Sequence, residues 1–242
     1  MVIKRHIPNI ITLLNLFCGC IAVTMIAQYD YTEAPRNLEY AFYFVCLGIF
    51  LDFFDGFFAR LFKVASPLGL QLDSLADMVT SGVAPGFMMY LMLSQSEHID
   101  SLPAFLPYLG FIVTLGSCYR LANFNIDTRQ TDSFIGLPTP ANTLFILSLP
   151  LIKLHGGLIE FEIVNNPWVL LGITLFSAYI MNAQIPLFSL KFKKMTLKDN
   201  LLPISFLILS VLLLALLHFS GIPLVIILYI LLSVVTNKFQ KK

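Results

Sequence analysis

Charge is scarce in this chain. Lys, Arg, Asp and Glu make up 12% of its 242 residues, against about 25% in an ordinary soluble domain. That deficit excludes a water-facing globular surface. Cysteine is also sparse: Cys18, Cys20, Cys46 and Cys118 all fall in apolar runs and form no C-x-x-C pair. A disulfide scaffold and a cysteine zinc site are thereby excluded, and the four read as small buried hydrophobes. Internal repeats, low-complexity tracts and long linkers are missing too. A cation-coupled transporter, the reading from a different functional class, would show inverted repeats or broken helices in both halves. The net charge of +1 brings no basic excess, and nucleic acid is not an expected partner.

What is present is apolar length. Hydrophobic residues make up 57% of the chain, and the mean hydropathy is +0.83. Apolar runs lie at about 10–27, 39–60, 70–94, 104–122, 138–154, 167–183, 200–218 and 221–237. A span needs roughly 20 apolar residues, so the expectation is an all-α polytopic membrane protein with eight transmembrane helices. The count falls to seven if the last two runs fuse across Ser220 and Gly221. With the N-terminus inside, 13 of the 15 basic residues lie in inside segments, and only Arg36 and Lys153 lie outside. The positive-inside rule then places both termini in the cytoplasm. Met1–Ala27 reads as a retained first helix rather than a cleaved signal peptide. Val2–Ile7 reads as a short interfacial helix before Pro8, with His6 solvated at the headgroups. The basic loop Lys191–Lys198 reads mainly as a topology determinant.

Against that background, four aspartates stand out between Leu51 and Asp77. Asp52 and Asp55 are three apart, and Asp73 and Asp77 are four apart. On a helix each spacing puts both carboxylates on one face. Carboxylates at membrane depth are costly, and they are read as functional by default. Converging acidic oxygens suit a hard divalent cation, Mg²⁺ or Mn²⁺. Gly56, Ala59 and Arg60 continue the Asp52–Asp55 stripe, whereas Phe53, Phe54, Phe57 and Phe58 fall on the other side. Gly56 and Ala59 either allow close helix packing or give floor space to a ligand. Arg60 either snorkels to the interface or holds a phosphate. Ser66-Pro67 marks a turn, and Gly69 opens the next span. Two adjacent antiparallel helices would bring the aspartate pairs face to face, with room for two metal ions.

The segment Asp52–Asp77 resembles the signature of the CDP-alcohol phosphotransferase family, D-x2-D-G-x2-A-R-x8-G-x3-D-x3-D. All eight fixed positions are filled, by Asp52, Asp55, Gly56, Ala59, Arg60, Gly69, Asp73 and Asp77. Ile7–Gly19, Cys118–Asn125 and Ser133–Asn142 are similar to stretches of the family's membrane-integral phosphatidylserine synthase branch. The resemblance implies one membrane-embedded domain over 1–242. Its six-helix core spans about 8–190, and an added helix pair spans about 200–237. It implies a bacterial inner-membrane enzyme, a homodimer, acting on CDP-diacylglycerol and L-serine among membrane lipids. Asp52, Asp55 and Asp73 would ligate metal, with Asp77 contributing. Asp77 would also be the general base that takes the serine hydroxyl proton. The hydroxyl oxygen would attack the β-phosphorus, and CMP would leave. Asp52, Gly56, Ala59, Arg60, Ser66 and Gly69 would cradle the cytidine diphosphate.

The acceptor side is less patterned. Serine's carboxylate needs a cationic partner, and Arg120 is the candidate by charge and place; a positive-inside anchor is the equal alternative. Asn123, Thr139 and Asn142 are candidates for added hydrogen bonds. Thr12 and Asn15 share a face of the first helix, where they either line the cavity or bond between helices. Sister enzymes take phosphorylated acceptors such as glycerol phosphate or inositol phosphate and would want a denser basic cluster. Only Arg120 and Arg129 are placed to supply one. Archaetidylserine synthases are close relatives with a different lipid backbone.

Overall fold

The computed structural model describes residues 2–30, 32–127, 134–155, 164–188 and 200–240, apart from the side chains of 2–5 and 238–240. The regular elements among them are helical. They are α1 Val2–Ala27, α2 Asn37–Leu61, α3 Pro67–Asp77, a π-helical segment Met78–Val83, α4 Ala84–Ser94, α5 Ile112–Ile126, α6 Thr139–His155, α7 Pro167–Asn182, α8 Leu201–Leu217 and α9 Gly221–Gln240. Short 3₁₀ turns precede α5 and join α8 to α9. Because α3, the π segment and α4 run on without a break, the described residues make eight helical passages.

The stretches His6–Ala27, Asn37–Leu61 and Leu201–Asn237 are long and apolar enough to cross a membrane. The last holds 37 residues, and a straight helix of that length would run about 55 Å, well beyond a hydrocarbon core of about 30 Å. The chain instead folds back at the 3₁₀ turn His218–Ser220. A Cβ on Gly221 would lie 2.6 Å from the Leu213 carbonyl oxygen, so glycine allows the close return. Phe206 of α8 meets Tyr229 of α9 with ring centroids 5.5 Å apart. The two runs are therefore separate helices in a hairpin and do not fuse. Large apolar side chains remain exposed around the bundle, among them Phe17, Phe53, Leu115, Trp168, Ile208 and Leu216. Soluble monomers rarely carry such a surface, whereas lipid accepts it. The protein is an integral membrane protein.

The N-terminal residues differ from expectation. Val2–Ile7 is no separate interfacial helix but the first turns of α1, which carries Pro8 inside it. Pro8 is the seventh residue of this helix and removes one backbone bond, to the Lys4 carbonyl, yet the helix runs through.

The interior is divided along the bundle axis. Ala22 and Ile26 of α1, Ala41 and Val45 of α2, Met88 and Leu93 of α4, and Leu147 and Leu151 of α6 form a buried apolar core. These positions lie in the halves of α1 and α2 that point away from the aspartates. The aspartates and their partners Thr12 and Asn15 gather at the opposite end.

The π segment has a local cause. Pro85, in the first turn of α4, has no N–H for the carbonyl four residues before it. That carbonyl belongs to Ser81, and it accepts hydroxyls instead: Thr143 of α6 at 3.0 Å and Ser117 of α5 at 3.3 Å. Thr114 of α5 donates to the neighbouring Gly82 carbonyl at 3.0 Å. Irregular backbone at membrane depth is tolerated when protein partners satisfy it, and single π turns often mark functional sites.

Candidate active site

Three helices build the polar end. α1 lies along α2 and also touches α3. Ser66 caps α3: its side chain accepts from the Gly69 N–H at 3.1 Å, and Pro67 follows in the first helical turn. That is the preferred chemistry for a helix start. The turn brings α3 onto α1 beside α2, so that Asp73 faces Asp52 and Asp55. Oxygens of these three carboxylates lie within 4.8 Å of one another. Like charges that close in a low dielectric repel strongly, and the donor set suits a hard divalent cation. The phenylalanines of α2 fall on the opposite side, where Phe53 is 63% exposed and Phe57 43%.

Two of the four aspartates have partners on α1. The Thr12 hydroxyl lies 3.0 Å from the Pro8 carbonyl and hydrogen-bonds Asp55 Oδ2. Asn15 Nδ2 donates to Asp77 Oδ1 at 3.2 Å. Asp77 sits one turn deeper than Asp73, outside the three-carboxylate group. The geometry therefore sorts the aspartates into a cluster of three and a fourth held by an amide.

A cavity of about 240 Å³ opens beside the cluster. Asp55 and Asp73 border it, and so do Gly56, Ala59, Arg60, Ser66 and Gly69. These last five are all of the predicted nucleotide contacts except Asp52. Thr12 lines the cavity, whereas Asn15 does not. Asn9 also lines it, and its Oδ1 lies 3.4 Å from where a Cβ on Gly69 would stand. Asn9 lies three residues before Thr12 and six before Asn15, so the helical stripe that marks those two also marks Asn9.

The predicted acceptor residues lie elsewhere. Arg120 is buried, and its Nη1 donates to the Ile135 carbonyl at 2.8 Å and the Met181 carbonyl at 2.5 Å. It thus joins α5 to the turn before α6 and to the end of α7. That turn is held down further: Gly136 N–H donates to Ile185 O at 2.8 Å, and Leu187 N–H donates to Phe134 O at 2.8 Å. Gly136 has φ +74°, a conformation that glycine adopts without strain. Thr139 is buried, and Asn123 is half-buried. Asn142 is buried, and among the described residues neither end of its carboxamide has a hydrogen-bond partner. None of these four borders the cavity beside the aspartates. Arg129, Ser133 and Lys191–Lys198 lie outside the described residues.

Residues 5–184 match the family model of the CDP-alcohol phosphatidyltransferases. The chain belongs to this family. Family members generally depend on a divalent metal, in keeping with the acidic cluster. Curated relatives narrow the branch. The CDP-diacylglycerol–serine O-phosphatidyltransferase of Bacillus subtilis (strain 168) is 36% identical over 140 residues, 56% of this chain and 70% of that protein. The protein of the same name from Helicobacter pylori (strain J99) is 29% identical over 202 residues, 83% of this chain and 79% of that one. An archaetidylserine synthase of Methanothermobacter thermautotrophicus is 26% identical over 154 residues, 63% of this chain and 60% of that one. The CDP-alcohol phosphatidyltransferase signature residues Asp52–Asp77 fall inside the matched region and at the polar end.

Proposed function

We propose that this protein transfers the phosphatidyl group of CDP-diacylglycerol to the hydroxyl of L-serine, giving phosphatidylserine and CMP. The observation that carries this reading is the cavity lined by the carboxylates Asp55 and Asp73 together with Gly56, Ala59, Gly69 and Arg60. The small residues leave room for a bulky diphosphate, and an exposed arginine at the rim is suited to its charge. Relatives bearing the serine O-phosphatidyltransferase name support serine as the acceptor.

In this reading Asp52, Asp55 and Asp73 hold Mg²⁺ or Mn²⁺, which supplies positive charge to the pyrophosphate when bound. Gly56, Ala59, Ser66 and Gly69 seat the nucleotide. Asp77 takes the proton of the serine hydroxyl. The oxygen forms a bond to the phosphorus that carries diacylglycerol, and the bond from that phosphorus to the CMP oxygen breaks. Arg120, whose Nη1 is held by two backbone carbonyls away from this cavity, would meet serine's carboxylate only through its remaining N–H groups. Thirteen of fifteen basic residues on one side support eight crossings, with the termini and the polar end in the cytoplasm. There CDP-linked lipid and soluble serine meet at one membrane face.

The test is direct. Purified protein in mixed micelles receives CDP-diacylglycerol and labelled serine, with and without chelator. Labelled lipid and CMP should appear in equal amounts and stop with chelator. CMP release with glycerol phosphate but not serine would overturn the acceptor assignment.

A further inference from the structure

Thr80 lies in the π segment three residues past Asp77, fully buried, and the chemistry above makes no use of it. Its hydroxyl is 2.9 Å from Asn15 Oδ1, 3.1 Å from the Ala76 carbonyl and 3.3 Å from the Asn15 carbonyl. All three are acceptors, so the hydroxyl is the donor. Asn15 is itself fully buried, and the other end of its carboxamide donates to Asp77. A chain of two hydrogen bonds thus runs from Thr80 through Asn15 to Asp77.

The packing around this chain has been cleared of side chains. A Cβ on Gly19 of α1 would stand 2.6 Å from Thr80 Oγ1 and 3.0 Å from its backbone nitrogen. A Cβ on Gly48 of α2 would stand 2.8 Å from both Asn15 Oδ1 and Thr80 Cγ2. Real side chains do not tolerate such approaches. Two glycines on two different helices therefore let the π segment press Thr80 onto Asn15. Buried polar groups that satisfy one another hold a single geometry, and losing one member strands the other.

We propose that Thr80, acting through Asn15, is a positioning residue for the Asp77 carboxylate. Its hydroxyl holds the Asn15 carboxamide by the oxygen. The NH₂ end then fixes Asp77 Oδ1 and leaves Oδ2 for the acceptor hydroxyl. The assignment rests on Asp77 being the base in the proposed function.

The experiment uses full-length protein in micelles and compares wild type with Thr80→Val, Thr80→Ser, Asn15→Ala and the double variant Thr80→Val/Asn15→Ala. Thr80→Val should lower kcat about tenfold, the usual loss when an outer-shell partner is removed. KM for the liponucleotide should stay within about twofold, because binding in the ground state is untouched. Thr80→Ser keeps the hydroxyl and should restore turnover. In the Asn15→Ala background Thr80→Val should add nothing, since both changes cut one path. Mn²⁺ affinity, followed by electron paramagnetic resonance titration, should be unchanged. Thr80→Ala stands in for Thr80→Val if the latter fails to fold. Unchanged kcat, fully additive losses, or Mn²⁺ affinity falling in step with kcat would each overturn the proposal. A wild-type protein inactive with serine would overturn the proposed acceptor instead, and the same cycle would then be read with glycerol phosphate.

Discussion

Two regions of this molecule carry buried polar side chains, and they use them in opposite ways. At the junction of α1, α2 and α3 the polar groups meet one another across helices. Thr12 bonds Asp55, Asn15 bonds Asp77, and Asp52, Asp55 and Asp73 converge. At the junction of α5, α6 and α7 the side chains meet backbone. Arg120 bonds the carbonyls of Ile135 and Met181, while Thr143 and Ser117 bond the carbonyl of Ser81. The first arrangement leaves charge uncompensated and space beside it, which suits a ligand. The second consumes donors to close irregular backbone that lipid cannot satisfy. Polar residues in a membrane protein thus divide by what they face, and type alone does not separate them.

The largest predicted effect tests the first region. Asp77→Asn keeps size and shape but removes the base. Turnover with CDP-diacylglycerol and serine should fall about 10²–10⁴-fold, while nucleotide binding and thermal midpoint hold. A variant with normal turnover would remove Asp77 from proton transfer.

The second region predicts a loss of another kind. Arg120→Met retains an apolar stem and removes both bonds to buried carbonyls. With bonds to charged donors contributing about 1.5–3 kcal/mol each, the fold should lose about 3 kcal/mol, read as a lower melting midpoint in detergent. If Arg120 also grips serine's carboxylate, KM for serine rises well above any change in KM for the liponucleotide. A stable variant with selectively raised serine KM would turn the comparison around and make this region a binding site as well.

Arg60 is the natural counterpart, because it is exposed at the cavity rim rather than buried. Arg60→Gln should leave the melting midpoint alone and raise KM for CDP-diacylglycerol about tenfold, the scale of one charge-assisted hydrogen bond. An equal effect of both arginine substitutions on stability would erase the distinction between them.

The first region was legible because helical periodicity turns sequence spacing into a shared face. Asp52, Asp55, Gly56, Ala59 and Arg60 lie on one stripe, and the Ser66-Pro67 start of α3 is written in local residue preferences. The same logic reaches Asn9, which extends the Thr12–Asn15 stripe. Apolar length made the helical character legible, whereas the break between α8 and α9 at Ser220-Gly221 stayed open in the sequence and is decided by the turn His218–Ser220. The second region was not legible for a plain reason. The partners of Arg120 are backbone carbonyls 15 and 61 residues away, and a carbonyl has no residue type to read. Thr80 was hidden differently. Helical spacing puts Thr80 on the face of Asp77, three residues before it, but its part depends on Asn15, 65 residues away in the chain, which bonds both.

The smallest effect concerns space rather than charge. A Cβ placed on Gly56 would meet only the Arg60 side chain, at 3.5–3.9 Å, which is ordinary contact. Gly56→Ala should therefore fold as well as wild type or slightly better, since alanine favours a helix by about 1 kcal/mol. The added methyl projects at the cavity that the proposed nucleotide fills. KM for CDP-diacylglycerol should rise about fivefold, the low end of the cost of overfilling a packed site, and KM for serine should not move. Gly48→Ala, whose methyl would strike Asn15 and Thr80 instead, should do the reverse and lower kcat with little change in KM. If both alanines altered the same kinetic constant, cavity and positioning network would be one functional unit.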